Sequence, residues 1–451
     1  MARREDVTRA LAEWIVDCDL SRIPESVQRE GVRTFVNWVG CAVGGARHET
    51  VDRALQALTR FSGAPTSGVI GRIERLDALH AALINGISSH VLDYDDTHLK
   101  TIIHPAGPVA SAALAVAELL GSSGKDVLNA IIVGVEVECR IGNSVYPDHY
   151  DRGWHITGTA GVFGAAAAVG RLLDLDVQRM VWALGLAATQ ASNLREMFGT
   201  MTKSFHPGRA AQNGAASAFL AEAGYDSSER AIEAPRGFAN VLSTKQDYGE
   251  ILDGLGSSWE AALNSYKPFA CGIVIHPTID GCIQLREEHA IPAERIESVA
   301  LTTHPLVLEL TGKREPRTGL ESKFSVFHSA ACALVRGDGS PTAFTDEAVA
   351  DPVLVDLRRR VHATTDAAVH EDAVTIVLTL KDGSRIEKRV EHAIGSVSRP
   401  LSDAQIETKF RTQSALVIGE KRSDELLAVA WRLPELTRAS DVVAASVPTN
   451  I

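Results

Sequence analysis

The stretch GVFGAAAAVGRLL, Gly161 to Leu173, is apolar on almost every side of a helix. A second stretch of the same kind, ASAALAVAELLG, runs from Ala110 to Gly121. A helix that has no polar face must be buried on most sides, so other helices have to surround it. The sequence therefore predicts an all-α domain in which central helices are wrapped by others.

The helical pattern covers roughly the first 265 residues and changes from about Ile296. ESVALTTHPLVLEL (297–310) is β-branched and apolar, as a strand would be. AVTIVLTLKDGSRIEKRVEH (373–392) alternates apolar and polar residues around a Lys-Asp-Gly-Ser turn, which predicts a β-hairpin. FHSAACALVRG (327–337) and EAVADPVLVDLRRRV (347–361) are typical of helices, so this segment is α+β.

The end of the chain returns to a helical pattern. Ser402 and Gln405 form a capping box that starts a helix, and the last fifty residues are predicted to pack back on the first domain. A chain of 451 residues is long enough for two domains. We therefore expect a discontinuous helical domain of residues 1–267 and 398–451, with an α+β insertion of residues 268–397.

Charge and composition exclude several classes of protein. The net charge is −12 and no basic run occurs, which argues against binding to nucleic acid or to anionic membranes. No apolar run of about eighteen residues is present to span a bilayer. The six cysteines are scattered and form no CxxC pair, so we expect neither a zinc ribbon nor a disulfide framework. The start, MARREDVTRALAEWIV, predicts an amphipathic helix instead of a signal peptide, and we expect a cytoplasmic protein.

The stretch HVLDYDDTHLKTIIHPAG (90–107) concentrates three aspartates and three histidines. A metal site, an acid–base site and a solvated turn are all compatible with it. The spacing fits no known metal pattern, and Asp95 and Asp96, being adjacent, point to different faces of any regular element. His104 precedes a buried helix, whose free N–H groups would attract an anion. A histidine there can exchange protons near neutral pH.

Three further clusters carry histidine, lysine or arginine. GWHITGTAG (153–161) and MFGTMTKSFHPGRAAQNG (197–214) each lead into an apolar helix, and the second of these helices is predicted over Arg209 to Glu222. SYKPFACGIVIHPTIDG (265–281) lies at the predicted domain junction, where ligand sites are common. Taken singly, each is compatible with a core, cap or surface residue. Together with the first stretch, they predict one cationic, water-excluding pocket for carboxylates, in which Asp93 orients or tunes a base.

These motifs, in this order and spacing, resemble the MmgE/PrpD family. The resemblance covers nearly the whole chain and includes PLSDAQIETKF (400–410) near the end. That family contains 2-methylcitrate dehydratases, cis-aconitate decarboxylases and an iminodisuccinate epimerase. The resemblance implies a large helical domain, a smaller α+β lid domain and a homodimer. It also implies catalysis with no metal and no organic cofactor.

The predicted site draws on all four motifs. The catalytic set is His104, Asp93, His155, Lys203 and Lys267, and the substrate-binding set is Thr97, His276 and Arg209. His104 is predicted to be the principal acid/base, with Asp93 and Thr97 holding its surroundings in place. Lys203 and Lys267 are expected to clamp carboxylates. His155 is expected to be either a second acid/base or a binding residue.

Two positions depart from the family pattern. The gap between Thr97 and His104 is one residue longer than in the decarboxylases, which predicts a shift of the loop that carries His104. His328 stands where many relatives have a tyrosine. That hydroxyl is a usual partner of a substrate carboxylate. Its loss indicates a substrate that differs from the best-known substrates of the family.

The predicted reaction is proton transfer at a carbon α to a carboxylate of a small di- or tricarboxylate. A lyase, either a dehydratase or a decarboxylase, is favoured because more known members are lyases. The alternative is an epimerase or isomerase of an iminodisuccinate-like substrate, and GTMTK followed by FHPGRAA slightly favours that branch. A metal-dependent hydrolase that uses the Asp-rich loop is a competing class, and a binding role without catalysis is a third.

Overall fold

The structure, a computed structural model, describes residues 6–449. The helices before the sheet are α1 (Val7–Asp17), α2 (Glu25–Gly45), α3 (Glu49–Leu58), α4 (Ala78–His90), α5 (Ala106–Leu120), α6 (Gly124–Val145), α7 (Asp148–Asp151), α8 (Ile156–Leu172), α9 (Val177–Ala188), α10 (Met201–Glu222), α11 (Phe238–Leu242) and α12 (Gly249–Leu252). The later helices are α13 (His276–His289), α14 (Pro305–Thr311), α15 (Gly319–Ser322), α16 (Val326–Arg336), α17 (Asp346–Ala350), α18 (Pro352–Arg359), α19 (Asp403–Ile418), α20 (Glu420–Trp431) and α21 (Ser440–Ser446). The strands are β1 (Ser67–Gly68), β2 (Arg75–Leu76), β3 (Asp96–His98), β4 (Asn264–Tyr266), β5 (Ile296–Thr303), β6 (Val361–Thr365), β7 (Val374–Leu380) and β8 (Arg385–Val390).

The apolar stretch that begins at Gly161 lies in a buried helix. Every residue of α8 from Ile156 to Gly170 is buried, and α5, α6, α9 and α10 pack around it. α6 and α8 approach so closely that a Cβ on Gly164 would lie 2.7 Å from the carbonyl oxygen of Gly134. The prediction of a mainly α fold with central buried helices is confirmed.

A second close approach joins α4 to α10. A Cβ on Gly86 would lie 2.4 Å from the Cα of Gly208, so neither position tolerates a side chain without moving the helices apart. His90 follows Gly86 by one turn, and Lys203 precedes Gly208 by about one and a half turns. The contact therefore brings the side chains of His90 and Lys203 together.

The α+β part contains a four-stranded sheet in the order β6-β5-β7-β8, and only the β5–β6 pair is parallel. The predicted hairpin is confirmed as β7 and β8. The prediction of one strand over 297–310 is wrong in its second half, where Pro305 starts α14. The helix predicted over 347–361 is interrupted at Asp351, which caps α18 by accepting a hydrogen bond from the Val353 N–H, and Val361 already belongs to β6.

Two hydrophobic cores hold these parts. One core runs from Val7 to Tyr266 and continues from Leu401 to Val443, and the other consists of residues 269–390 with Tyr94. The capping box of Ser402 and Gln405 is confirmed at the start of α19, which packs along α2. The boundaries at 267/268 and 397/398 stay predictions.

The N-terminal amphipathic helix is confirmed as α1, while residues 1–5 lie outside the described residues. No helix in the described part of the chain combines the length and the apolar character needed to cross a bilayer.

Candidate active site

A short β-ribbon joins the first and the last of the four motifs. β3 and β4 pair antiparallel, with Asp96 opposite Tyr266 and His98 opposite Asn264. The pairing continues past the ribbon, because the Lys267 N–H donates to the Asp95 carbonyl at 3.4 Å. Residues about 170 positions apart in the sequence thus become neighbours at the edge of both hydrophobic cores.

Asp93 lies between two lysines. Its Oδ1 accepts hydrogen bonds from Lys267 Nζ at 2.6 Å and from Lys203 Nζ at 3.1 Å. Burial by itself would raise the pKa of Asp93, but the Lys203 and Lys267 ammonium groups lower it well below its usual value. Asp93 also has a φ of +51°, a strained conformation for a residue other than glycine, and such strain often marks functional sites.

Asp95 connects two buried histidines. Its Oδ2 accepts a hydrogen bond from His90 Nδ1 at 2.6 Å, and its Oδ1 lies 3.3 Å from His104 Nδ1. The Nε2 of His90 in turn lies 3.1 Å from Lys203 Nζ. Because the lysine donates, His90 is neutral with its proton on Nδ1. Asp95, His90 and Lys203 therefore form one hydrogen-bonded chain that leads to Asp93.

The ring of His104 is held in one tautomer. Its Nδ1 lies 2.9 Å from the Asp96 carbonyl, which can only accept a hydrogen bond, and 3.4 Å from Thr97 Oγ1. We therefore assign the proton of the neutral ring to Nδ1, which leaves the lone pair on Nε2. Burial lowers the pKa of His104 to about 4 against the opposing effect of Asp95, so the ring is neutral at pH 7.

The loop that carries His104 was predicted to be shifted, and the structure shows how the loop closes. The His98 N–H donates to the Ile103 carbonyl at 2.8 Å, and Ile102 adopts a φ of +60°. This tight turn keeps His104 at the start of α5, where its own N–H donates to Thr157 Oγ1. His104 therefore lies at the site.

His155 comes from the start of α8 and contacts a histidine of α10. The Nδ1 atoms of His155 and His206 lie 2.8 Å apart, so one ring donates and the other accepts. The ring centroid of His155 lies 6.4 Å from that of His104 and 6.2 Å from that of His90. Burial and the neighbouring His206 and Lys203 lower the pKa of His155 well below its usual value. The imidazole rings of His104 and His155 are therefore both neutral.

These groups surround one small cavity of about 30 Å³ between the two cores, which has room for about one water molecule. Five predicted residues line it: Asp93, His104, His155, Lys203 and Lys267. Apolar side chains close the remaining walls: Ile102, Phe198, Ile273, Val274, Leu310 and Phe324.

The other predicted residues lie elsewhere. Thr97 lies behind His104 at 3.4 Å and does not line the cavity. His276 lines a neighbouring chamber. Arg209 is exposed and pairs with Gln212 on the outer face of α10, so the structure does not bring it to the pocket. The helix predicted from Arg209 in fact begins at Met201, which places Lys203 and His206 within α10.

Two models of one protein family together match most of the chain. The MmgE/PrpD N-terminal domain matches residues 9–251 and the MmgE/PrpD C-terminal domain matches residues 269–433. The chain belongs to the MmgE/PrpD family.

Characterised relatives resemble the chain over its full length. The cis-aconitate decarboxylase of Aspergillus terreus is 28% identical, with 98% of this chain and 96% of that protein covered. The cis-aconitate decarboxylases of Mus musculus and Homo sapiens are each 26% identical, with 97% of this chain and 92% and 93% of those proteins covered. This similarity supports a lyase of the MmgE/PrpD type.

His328, at which the sequence predicted the loss of a contact to the substrate, does not line this cavity. His328 is fully buried in α16, and its Nε2 donates to the Ala343 carbonyl at 2.8 Å. Phe344 packs beside the ring. His328 therefore belongs to the core under the sheet, and Phe324, one turn earlier, faces the cavity instead.

Two sets of potential metal ligands also converge here. His90, His104 and His155 form one set, and Asp93, Asp95 and His104 form the other, each with donor atoms within 4.8 Å. However, Asp93 already pairs with two ammonium groups and Asp95 with His90. Both lysines bond Oδ1 of Asp93, so a divalent cation at Oδ2 would add positive charge beside two ammonium groups. The donor set fits an anion-binding pocket better than a metal centre.

Three groups near the site were not in the predicted set. His90 and Asp95 stand in the first motif and His206 in the third, and their signal was present in the quoted stretches. The contacts of His90 to Lys203 and of His206 to His155, however, depend on the packing of α10 against α4 and α8. Lys323 is a fourth case: its Nζ donates to the carbonyls of Leu92 and Ala270 at 2.6 and 2.9 Å. Burial lowers the pKa of Lys323 to about 8.

Proposed function

We propose that this protein is a lyase that acts on a small di- or tricarboxylate by proton transfer at a carbon α to a carboxylate. The observation that carries the proposal is the pair of ammonium groups of Lys203 and Lys267, which share one carboxylate beside the neutral ring of His104. The relatives named cis-aconitate decarboxylase support decarboxylation as the reaction and cis-aconitate as the first substrate to test.

Charge favours an anionic substrate. At the cavity wall, Lys203 and Lys267 carry two positive charges and Asp93 supplies one negative charge between them, whereas the ionised Asp95 lies behind the rings of His90 and His104. The resulting excess of positive charge lies in a buried region, where an added carboxylate interacts strongly. A substrate carboxylate near both Nζ atoms would therefore be bound and held in place by these two lysines.

His104 is suited to move the proton. Its Nδ1 is engaged by the Asp96 carbonyl, so Nε2 is the atom available for proton transfer. In the empty pocket the ring is neutral and acts as a base. The charges of a bound polycarboxylate raise the pKa of the ring, which then carries a proton and acts as an acid.

The chemical step keeps all electrons within the substrate. In decarboxylation the bond to one carboxylate carbon breaks, carbon dioxide leaves, and the electron pair moves onto a carbon conjugated with a remaining carboxylate. The two lysines stabilise the developing enolate-like charge, and one proton from His104 is added to that carbon. In dehydration the neutral His104 ring would instead remove the α-proton, the electron pair would form the double bond as the carbon–oxygen bond breaks, and the protonated ring would return that proton to the departing hydroxyl group, which leaves as water.

The test is proton NMR in deuterated water without added metal, using cis-aconitate, citrate, 2-methylcitrate, 2-methyl-cis-aconitate and iminodisuccinate. We expect cis-aconitate to be consumed with loss of carbon dioxide and incorporation of one deuterium at the α-carbon. No turnover and no exchange with any compound would refute the proposal. Activity that appears only with added divalent metal and disappears with chelator would favour the hydrolase class.

An epimerase or isomerase is the second candidate. The observation that favours it is the presence of two neutral imidazoles, His104 and His155, beside one cavity with ring centroids 6.4 Å apart. Two such groups can remove a proton on one side of a carbon and return it on the other. Exchange of the α-proton of iminodisuccinate with loss of optical activity, and without loss of carbon, would select this candidate. Independence of metals and cofactors, a homodimer and a cytoplasmic location stay predictions.

A further inference from the structure

Four lysines are buried in the described part of the chain, and all four reach the loop that carries Asp93. Lys203 and Lys267 bond the Asp93 carboxylate itself. The other two, Lys323 and Lys409, which we call the loop lysines, take no part in the chemistry described above. A buried ammonium group is costly unless it gains strong hydrogen bonds, so the contacts of the loop lysines indicate what they do.

Lys323 bonds the carbonyl immediately before Asp93. It lies between α15 and α16 in the α+β part, and its Nζ donates to the Leu92 carbonyl at 2.6 Å. The same Nζ donates at 2.9 Å to the carbonyl of Ala270, three residues after Lys267. Lys323 therefore ties the Asp93 loop to the segment that carries Lys267.

Lys409 bonds the carbonyl immediately after Asp93. It belongs to α19 near the end of the chain, and its Nζ donates to the Tyr94 carbonyl at 2.5 Å and to Asn37 Oδ1 at 2.7 Å. The hydroxyl of Tyr94 in turn donates to the Pro268 carbonyl at 3.1 Å. The second loop lysine therefore also connects the loop to the segment that Lys323 bonds.

Neither loop lysine is matched by a carboxylate. Within residues 6–449, Lys323 and Lys409 form no ion pair, and their hydrogen bonds go to neutral oxygens. Aromatic faces lie where a counter-ion would be, with Nζ 5.2 Å from the Phe344 ring centroid and 4.2 Å from that of Tyr94. An apolar side chain of the same length would avoid the cost of burying the charge. The gain from these lysines therefore lies in the position of the carbonyls that they bond.

The residue between these two carbonyls has an unfavourable backbone conformation. Asp93 has a φ of +51°, and its N–H donates to the His90 carbonyl at 2.9 Å in a turn that follows α4. In this conformation Oδ1 of Asp93 contacts both Lys203 and Lys267. Relaxation to a negative φ would turn the carboxylate away from both lysines.

We propose that Lys323 and Lys409 are positioning residues, which hold the peptide groups on either side of Asp93 and thereby keep Lys203 and Lys267 where they bind the substrate carboxylate. The inference rests on the proposed function for the role of the last two lysines. One loop lysine comes from the α+β part and the other from the end of the chain. Both parts must therefore pack against the Asp93 loop before the carboxylate-binding pocket is complete.

Ligand affinity is the first measurement, with tricarballylate as a saturated analogue of the proposed substrate. Lys323→Met and Lys409→Met keep the length of the side chain and remove the ammonium group. We expect each variant to raise the Kd for tricarballylate and the KM for cis-aconitate about tenfold, and to lower kcat less than threefold. Lys323→Gln and Lys409→Gln are milder changes for the case that a methionine variant does not fold. They should raise Kd at least threefold, because the shorter amide cannot reach both acceptors.

Arg72→Met is the matched control for lost stability. Arg72 is 8% exposed and donates to the Ala46 carbonyl at 2.8 Å, but it does not line the cavity. Urea denaturation should show that all three methionine variants are destabilised, whereas only the two loop-lysine variants lose affinity. A purely structural role would lower the free energy of unfolding and leave Kd unchanged in the folded protein. Unchanged Kd values in the loop-lysine variants would therefore overturn the inference.

The double variant tests whether the two loop lysines act on one residue. Once one carbonyl is released, Asp93 relaxes, and release of the second carbonyl adds little. Lys323→Met combined with Lys409→Met should therefore raise Kd no more than about twofold beyond the weaker-binding single variant. Effects that multiply to about 100-fold would show that the two lysines act independently, and they would overturn the shared role.

A crystal structure of Lys323→Met gives the most direct readout. We expect the φ of Asp93 to become negative and its Oδ1 to leave hydrogen-bond distance of Lys267 Nζ, which is 2.6 Å in the wild-type protein. An unchanged φ would overturn the inference. Wild-type protein that neither binds tricarballylate nor consumes cis-aconitate would refute the proposed function instead, and the change in φ would then still support the positioning of Asp93.

Discussion

The two halves of the catalytic cavity are equally buried but differ in charge. In the ionic half, Asp93, Lys203 and Lys267 carry full charges, and the Nζ of each lysine lies within 3.1 Å of Asp93 Oδ1. In the imidazole half, which also contains His104, His155 and His206 face each other and burial keeps all three rings neutral. A charge persists in a protein interior only where an opposite charge lies beside it. The comparison supports the proposal that the first half binds the substrate and the second half transfers the proton.

The same contrast exists within one loop. Asp93 is kept ionised by two ammonium groups. Three residues later, burial and the nearby Asp95 raise the pKa of Asp96 to about 7, although Asp96 accepts hydrogen bonds from Asn264 and from the Ala106 N–H. Asp96 thus holds the start of α5 in place. The charge of each aspartate is determined by the groups around it and not by the residue type.

The largest effect should come from the imidazole half. His104→Gln removes the group that moves the proton, and kcat/KM for cis-aconitate should fall about 10³-fold. The measurement is steady-state decarboxylation by purified, folded protein. The matched control is His328→Gln, because His328 is equally buried but lies under the sheet, and its activity should stay within threefold. An equal loss of kcat/KM in the His328→Gln control would contradict the proposal that His104 transfers the proton.

The next effect tests the ionic half. Lys267→Met should raise KM about 100-fold and lower the free energy of unfolding by about 3 kcal/mol, because Asp93 loses its nearest counter-charge in a buried site. Urea denaturation measures the stability. Asp93→Asn combined with Lys267→Met should regain at least half of the lost stability without regaining activity.

A surface lysine provides the control for that variant. Lys388 pairs with Glu288 near solvent, and Lys388→Met should change the free energy of unfolding by less than about 0.5 kcal/mol. If the two single variants lose the same stability, the ionic half is not the strongly coupled cluster described here.

A smaller effect is expected from the residue behind His155. His206→Asn removes the partner that orients the His155 ring, so kcat should fall about tenfold with KM nearly unchanged. The dependence of kcat on pH should also shift, which a purely structural role would not produce. His149→Asn is the control, because His149 is a buried histidine that bonds Thr159 outside the cavity. Unchanged kcat and an unchanged pH profile in His206→Asn would show that His155 needs no orienting partner.

The smallest effect concerns protons taken up with the ligand. The pKa of His104 is about 4 in the empty pocket, so the ring is unprotonated at pH 7, and the negative charges of tricarballylate raise that pKa. Binding should therefore take up a proton, and uptake should increase as the pH falls from 7 toward 5. Calorimetry in buffers of different ionisation enthalpy measures it. Proton release, or the same uptake in His104→Gln, would contradict the neutral state assigned to the ring.

The sequence was most informative where local pattern and burial agree. α8 has no polar face, and β7 and β8 alternate around a Gly-containing turn, so their conformations follow from the residues alone. The four motifs likewise identified five residues that line the cavity. Their roles remain proposals until the variants are measured.

The sequence was less informative where a helix continues through an unfavourable residue. The helix was predicted to start at Arg209, two residues after Pro207, whereas α10 runs from Met201 through the proline. With the true start, Lys203, His206 and Ala210 share the buried face, and Arg209 points to solvent. The position of Arg209 was therefore an error of helical phase.

The amino-acid sequence by itself determined the buried helices, the hairpin, the family and the residue types of the site, because these depend on local pattern. Only the tertiary structure decided which neighbours each group has. The contact of Gly86 with Gly208 brings His90 to Lys203, and the β3–β4 ribbon brings Lys267 to Asp93. Protonation in a protein interior depends on atoms within a few ångströms, and spacing along the chain does not specify those distances.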